Sequence, residues 1–204
     1  MLASVFMNFI SGAVPLPLVC HPQTPSETIE GIDVLVGVAS DNTLTLIFEL
    51  ACDLSCLRIP EPRSSRRADG LWQHTCFEAF VMADKGPGYR EFNLSPSGEW
   101  AAYDFRDYRD GGALESALAP TIVVRRRLNR LELEAQIDWD SIPRGRSLRL
   151  GLSAVVEDID GARSYWALQH PPGKPDFHHT DSFTLQLGPP GMLASNGLTG
   201  GVEP

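Results

Sequence analysis

Apolar and polar residues alternate along most of the chain, and no stretch of useful length carries helical spacing. Over residues 43–50, Leu44, Leu46, Phe48 and Leu50 form one row. Over 130–139, Leu131, Leu133, Ala135 and Ile137 point one way and Glu132, Glu134 and Gln136 the other. Over 147–157 the row is Leu148, Leu150, Leu152, Ala154 and Val156. Further strands are predicted at 32–39, 121–126, 163–170 and 182–187. Turn residues separate them, Asp41-Asn42 and 158–161 among others, and the segments 51–67, 107–120 and 171–180 read as loops. Short strands in this number, each with one inward row, predict an all-β fold, an antiparallel β-sandwich of jelly-roll type.

Residues 71–109 break the simple pattern. They divide into three strands at turns 85–88 and 95–98. On the first strand Cys76, Glu78 and Phe80 share a face opposite Phe77, Ala79 and Val81; on the second Tyr89, Glu91 and Asn93 oppose Arg90, Phe92 and Leu94. Ionisable and amide groups thus recur mid-strand, where a dry face would carry Val or Ile. That marks a site.

A length of 204 residues suits one domain, and the formal net charge of −9 argues against a nucleic-acid partner, which needs a basic surface. The cluster Arg125, Arg126, Arg127, Arg130 and Arg144 reads as a charged strand edge. The uncharged residues 1–19 lack the early cations of an export signal and are broken by Gly12, Pro15 and Pro17 before they could span a bilayer. The expected organisation is an extension over 1–15, a domain over 16–187 and a flexible Gly/Pro-rich tail over 188–204. Cys20, Cys52, Cys56 and Cys76 are too few and irregular for a disulfide scaffold, so a cytoplasmic location is expected.

Three constellations carry candidate chemistry. Trp72, Trp100 and Trp166 lie beside His74, Tyr103 and His170, and with Glu78, Glu91 and Asn93 they offer flat platforms and polar partners for a sugar ring; the alternative is plain core packing. His74, Cys76 and Glu78 share a predicted strand face and could approach a metal, although a hydrogen-bonded histidine is the simpler reading. His170, Asp176, His178 and His179 crowd one Pro-stiffened loop, as metal or acid–base groups or as caps on the backbone. Glu78 and Glu91 on adjacent strands could form a glycosidase-type pair, while nucleophile-elbow, phosphate-loop and dinucleotide motifs are absent.

The segments LWQHTCFEAFV, YREFNLSPSGEWAAYDFRDYR, SYWALQHPPGKPDFHH and PLPLVCHPQTPS resemble bacterial DOMON-like proteins, relatives of the family-nine carbohydrate-binding modules and of haem- or sugar-binding DOMON domains. The resemblance spans roughly residues 16–187, and residues before Val14 depart from it. It implies a β-sandwich that binds a saccharide or similar small molecule without catalysis, through Trp72, Glu78, Glu91, Asn93, Trp100 and Trp166. A second implied reading is haem or metal binding through Met82 with His74, His170, His178 or His179.

Overall fold

The computed structural model describes residues 14–39 and 43–188. Most of the expected extension and tail, and the turn at Asp41-Asn42, lie outside the described residues. Among the described residues twelve strands form: β1 (Leu16–Cys20), β2 (Ile29–Ala39), β3 (Thr43–Cys52), β4 (Cys76–Ala83), β5 (Tyr89–Leu94), β6 (Trp100–Asp107), β7 (Asp110–Ala113), β8 (Thr121–Arg127), β9 (Arg130–Asp138), β10 (Leu148–Glu157), β11 (Arg163–Ala167) and β12 (Leu185–Leu187). All ladders between them are antiparallel, as alternation predicts.

The ladders run β8-β9-β3-β2-β1 in one layer and β7-β6-β5-β4-β10-β11-β1 in the other, with β12 pairing β10 beside β11. β1 belongs to both. Its first half pairs with β2 (Leu16 with Val34, Leu18 with Ile32), and its last two residues pair with β11 (Val19 with Ala167, Cys20 with Trp166). The chain therefore folds over on itself at β1, and the two layers enclose one apolar core.

That core is built from the inward rows. Leu44, Leu46, Phe48 and Leu50 of β3 are fully buried, and so are Leu131, Leu133 and Ala135 of β9. Phe77, Ala79 and Val81 of β4 and Leu150, Leu152 and Ala154 of β10 meet them from the second layer. The rings of Phe48 and Phe77 approach to 5.0 Å between centroids across strands that share no ladder, which fixes the packing as face to face. β8 ends the first layer, and Arg125 there pairs with Glu132 and Glu134 of β9, so Arg125, Arg126 and Arg127 lie on an edge strand, while Arg130 is on β9 and Arg144 in the segment after it.

The elements depart from expectation at three points. β1 is a strand although its sequence, LPLVC, carries a proline. Pro17 lies in the half of β1 that pairs with β2, and the ladder to β11 begins only at Val19, so its missing N–H leaves no gap on that side. β7 lies within the expected loop 107–120; DGGA has no apolar alternation and is held to β6 by backbone pairing. The last strand shrinks to three residues, because Thr180–Ser182 form a 3-10 turn that the His179 side chain caps by accepting from the Asp181 N–H.

Candidate ligand-binding site

The outward face of the second layer is not left to solvent. Residues 168–184 lie over it, and Phe177 and Phe183 pack on Phe80, Met82, Tyr89 and Val155 to make a second, smaller apolar cluster. Between this strap and the sheet is a pocket of about 380 Å³. Its floor comes from four strands: Glu78 of β4, Glu91 of β5, Tyr103 and Phe105 of β6, and Val155 of β10. Tyr165 of β11, Phe177, His178 and Pro175 of the strap, and Arg109 form its walls. Trp72, in a 3-10 turn over Leu71–Gln73, borders it with 48% of its surface exposed.

Alternation explains the polar floor. With Phe77, Ala79 and Val81 committed to the core, Glu78 must face outward, and the register places it between Asn93 of β5 and Ser153 of β10. Glu91 lies one pair further along β5, opposite Phe80. Glu78 is 3% exposed and Glu91 5%, so both carboxyls are nearly out of water. Burial pushes the Glu91 pKa up to about 7, against the Asn93 amide and the Arg109 charge that hold it down. Burial, reinforced by the nearby Glu91 charge, raises Glu78 well above the usual carboxylate range. Asn93 Nδ2 donates to Glu91 Oε1 at 2.9 Å. No hydrogen bond from the described residues reaches the Glu78 carboxyl, and Asn93 Oδ1 and Ser153 Oγ are likewise buried without partners.

The wall is ordered by one chain of contacts. The Arg109 N–H donates to the Tyr89 hydroxyl at 3.1 Å, and that hydroxyl lies 2.8 Å from His178 Nδ1. Arg109 N–H can only donate, so the one proton of the Tyr89 hydroxyl has Nδ1 as its acceptor among the described residues, which leaves the His178 proton on Nε2, 3.7 Å from Glu91 Oε2. Burial and the Arg109 charge lower the His178 pKa to about 4, so the ring is neutral near pH 7. The Arg109 guanidinium meets Asp176 at 2.8 Å, and Tyr108 donates its hydroxyl to the same carboxylate at 2.7 Å. The β6–β7 hairpin tip is thereby tied to the strap. Arg109 has φ 52°, a left-handed conformation that costs a non-glycine residue energy and is held here by these partners.

The structure brings together Trp72, Glu78, Glu91, Tyr103 and His178 of the residues singled out from sequence, with Asn93 beneath them. Tyr103 also donates to Asp69 Oδ1 at 2.8 Å, with Arg67 stacked over its ring. Trp100 and Trp166 are placed between the layers, 7% and 6% exposed, because they pair with the inward-facing Leu94 and Ala154. His74 is not on the β4 face; it ends the 3-10 turn and meets Glu157 Oε2 at 2.7 Å. His170 holds the start of the strap to β1 through the Val19 carbonyl at 2.8 Å. The haem or metal residues do not fit their group: Met82 Sδ accepts from Arg149, His74 and His170 are engaged as above, and no potential metal-ligand cluster gathers among the described residues. Phe105, Arg109, Val155, Tyr165, Pro175 and Phe177 were not anticipated as lining.

No protein-family model matches the chain, and no curated protein matches it. Solved structures do. A family-nine carbohydrate-binding module from Caldicellulosiruptor kristjanssonii in complex with cellotriose aligns at a TM-score of 0.60 and 11% identity, over 89% of this chain and 84% of that one. A family-nine module from the same organism in complex with glucose aligns at 0.53 and 13%, over 89% and 86%. A Bacteroides uniformis protein with a provisional carbohydrate-binding description aligns at 0.57 and 16%, over 87% of each chain. The class defined is thus an antiparallel β-sandwich with the fold of family-nine modules. At such identities the likeness establishes the fold, and function has to be argued from the pocket.

Proposed function

We propose that the chain is a non-catalytic carbohydrate-binding module whose ligand enters the pocket beneath the strap. The observation that carries this reading is the half-exposed Trp72 at the border of a cavity whose walls are aromatic and whose floor is polar. A pyranose has apolar C–H faces and a rim of hydroxyls. Trp72, Tyr103 and Tyr165 suit the faces, while Glu78, Glu91, Arg109 and the His178 Nε2–H suit the rim. A cavity of about 380 Å³ is of the size that small-ligand sites occupy. The fold it shares with modules whose structures hold cellotriose and glucose supports the same reading.

Nothing among the described residues favours a hydrolase over a binding site. The test is intrinsic tryptophan fluorescence titrated with cellotriose and with monosaccharides, on the wild type and on Trp72→Ala. Saturable quenching that Trp72→Ala removes, with the melting temperature kept, is the expected result. Equal affinity in the variant, measured by calorimetry, would overturn the placement of the ligand.

A further inference from the structure

Polar groups in and just beneath the floor of the pocket are left without partners among the described residues. The Glu78 carboxyl, Asn93 Oδ1 and Ser153 Oγ lie in one row across β4, β5 and β10, and none of the three has a hydrogen-bond partner among the described residues. Glu78 is 3% exposed and lines the cavity, so what exposure it keeps is towards a ligand. Glu91, beside it, has one oxygen on the Asn93 amide. The cation at the wall, Arg109, has N–H groups on Tyr108 and Asp176 and donates to neither acid. His178 is neutral near pH 7 and offers one N–H. The other ionisable groups around the floor add no cation that is free: Cys76 lies on the Glu78 face of β4, Tyr89 is spent on Arg109 and His178, and Asp69, Tyr103 and Arg67 satisfy one another. The Arg109 charge is felt by both acids, yet no cationic N–H among the described residues is hydrogen-bonded to either, and π faces attract a cation as well.

We propose that the pocket takes a saccharide carrying a free, protonated amino group, with the ammonium seated on Glu78 and Glu91 inside the aromatic wall. This rests on the carbohydrate reading above and specifies the class of sugar. An ammonium brings three donors and no acceptor, the complement of this floor, whereas a hydroxyl brings one donor and leaves the buried acids uncharged. On binding, an acid of the pair gives its proton to bulk solvent, and the carboxylate oxygen then accepts from N–H⁺. Proton release is thus part of the association. A chain of net charge −9 also draws cationic ligands from a distance.

The experiment is isothermal titration calorimetry at about pH 6, where an amino sugar is cationic and both acids are largely protonated. D-Glucosamine is compared with D-glucose, N-acetyl-D-glucosamine and cellotriose, each in two buffers of different ionisation enthalpy. Glucosamine is expected to bind about tenfold or more tighter than glucose or its N-acetyl isostere, with a heat that changes with the buffer. Glu78→Gln, which keeps the shape of the side chain, should abolish both the preference and the buffer dependence. Glucose or the N-acetyl sugar binding as tightly as glucosamine would overturn the amine proposal and leave the carbohydrate reading standing. A glucosamine heat independent of buffer would do the same. Silence with all four probes would overturn both. The wild-type comparison decides the question even if the variant does not fold.

Discussion

The ionisable groups of the pocket pull stability in opposite directions between pH 4.5 and 6.5. Glu91 goes from an ordinary 4.5 to about 7 on folding, so across this window the folded protein holds a proton that the unfolded chain has released. Its stabilising contribution is complete below pH 4.5 and is lost as pH rises through about 7. Glu78 is raised in the same sense and acts alike. His178 goes from 6.5 to about 4, so here the unfolded chain holds the extra proton. Its contribution is complete above pH 6.5 and is lost as pH falls through about 4. Each proton changes stability by about 1.4 kcal/mol per pH unit. Glu91 and Glu78 thus make stability fall as pH rises through the window, and His178 makes it rise. Relative to the wild type, Glu91→Gln should make the slope more positive by up to about 1.4 kcal/mol per unit, and His178→Asn should make it more negative by as much. Across the window each variant departs from the wild-type profile by about 2 kcal/mol in total. His170 is also lowered by burial, but it is common to all three proteins and drops out of the differences. Urea unfolding at closely spaced pH values gives the slopes directly. Three parallel profiles would refute the assignment of these protons to the pocket.

Two further outcomes separate the core from the site. Trp166→Ala removes a side chain held between the layers with its Nε1–H on Ser164 Oγ at 2.9 Å, and should cost about 3–5 kcal/mol in urea unfolding; a loss below about 1 kcal/mol would show that Trp166 is not core. Tyr89→Phe deletes the hydroxyl that links the Arg109 N–H to His178 Nδ1, and should cost roughly 1–3 kcal/mol. In that variant the nitrogen NMR shifts of His178 should lose their Nε2–H tautomer signature, and an unchanged tautomer would show that Tyr89 does not set it.

The sandwich was legible because its inward rows are long and clean. Four strands with Leu, Phe, Ala and Val at every second place admit few other packings. The floor was legible for the same reason: once Phe77, Ala79 and Val81 face in, Glu78 must face out. The aromatics were harder, because one residue of register decides which of two neighbours reaches the pocket. In Tyr165-Trp166 the larger ring is the obvious platform, yet Trp166 pairs with inward Ala154 and Tyr165 with outward Val155. Pairing across the 95–98 turn would have settled Trp100 in the same way, since Leu94 opposite it faces the core. Arg109 and Phe177 left no such trace. The one depends on a left-handed turn and the other on how a Pro-rich loop folds back over the sheet, and neither is a matter of periodicity.

The tie between the β6–β7 hairpin tip and the strap joins Tyr108 and Arg109 to Asp176, partners 67 and 68 positions apart in the chain. The rim of the pocket is thus assembled from two short segments that contribute little to the core, while the floor belongs to the sheet that does. Such a division of labour suits directed evolution. Randomising the tip and residues 173–178 changes what the cavity admits while the inward rows keep the scaffold folded. Asp176 and Arg109 are best exchanged as a pair, so that each new rim still closes.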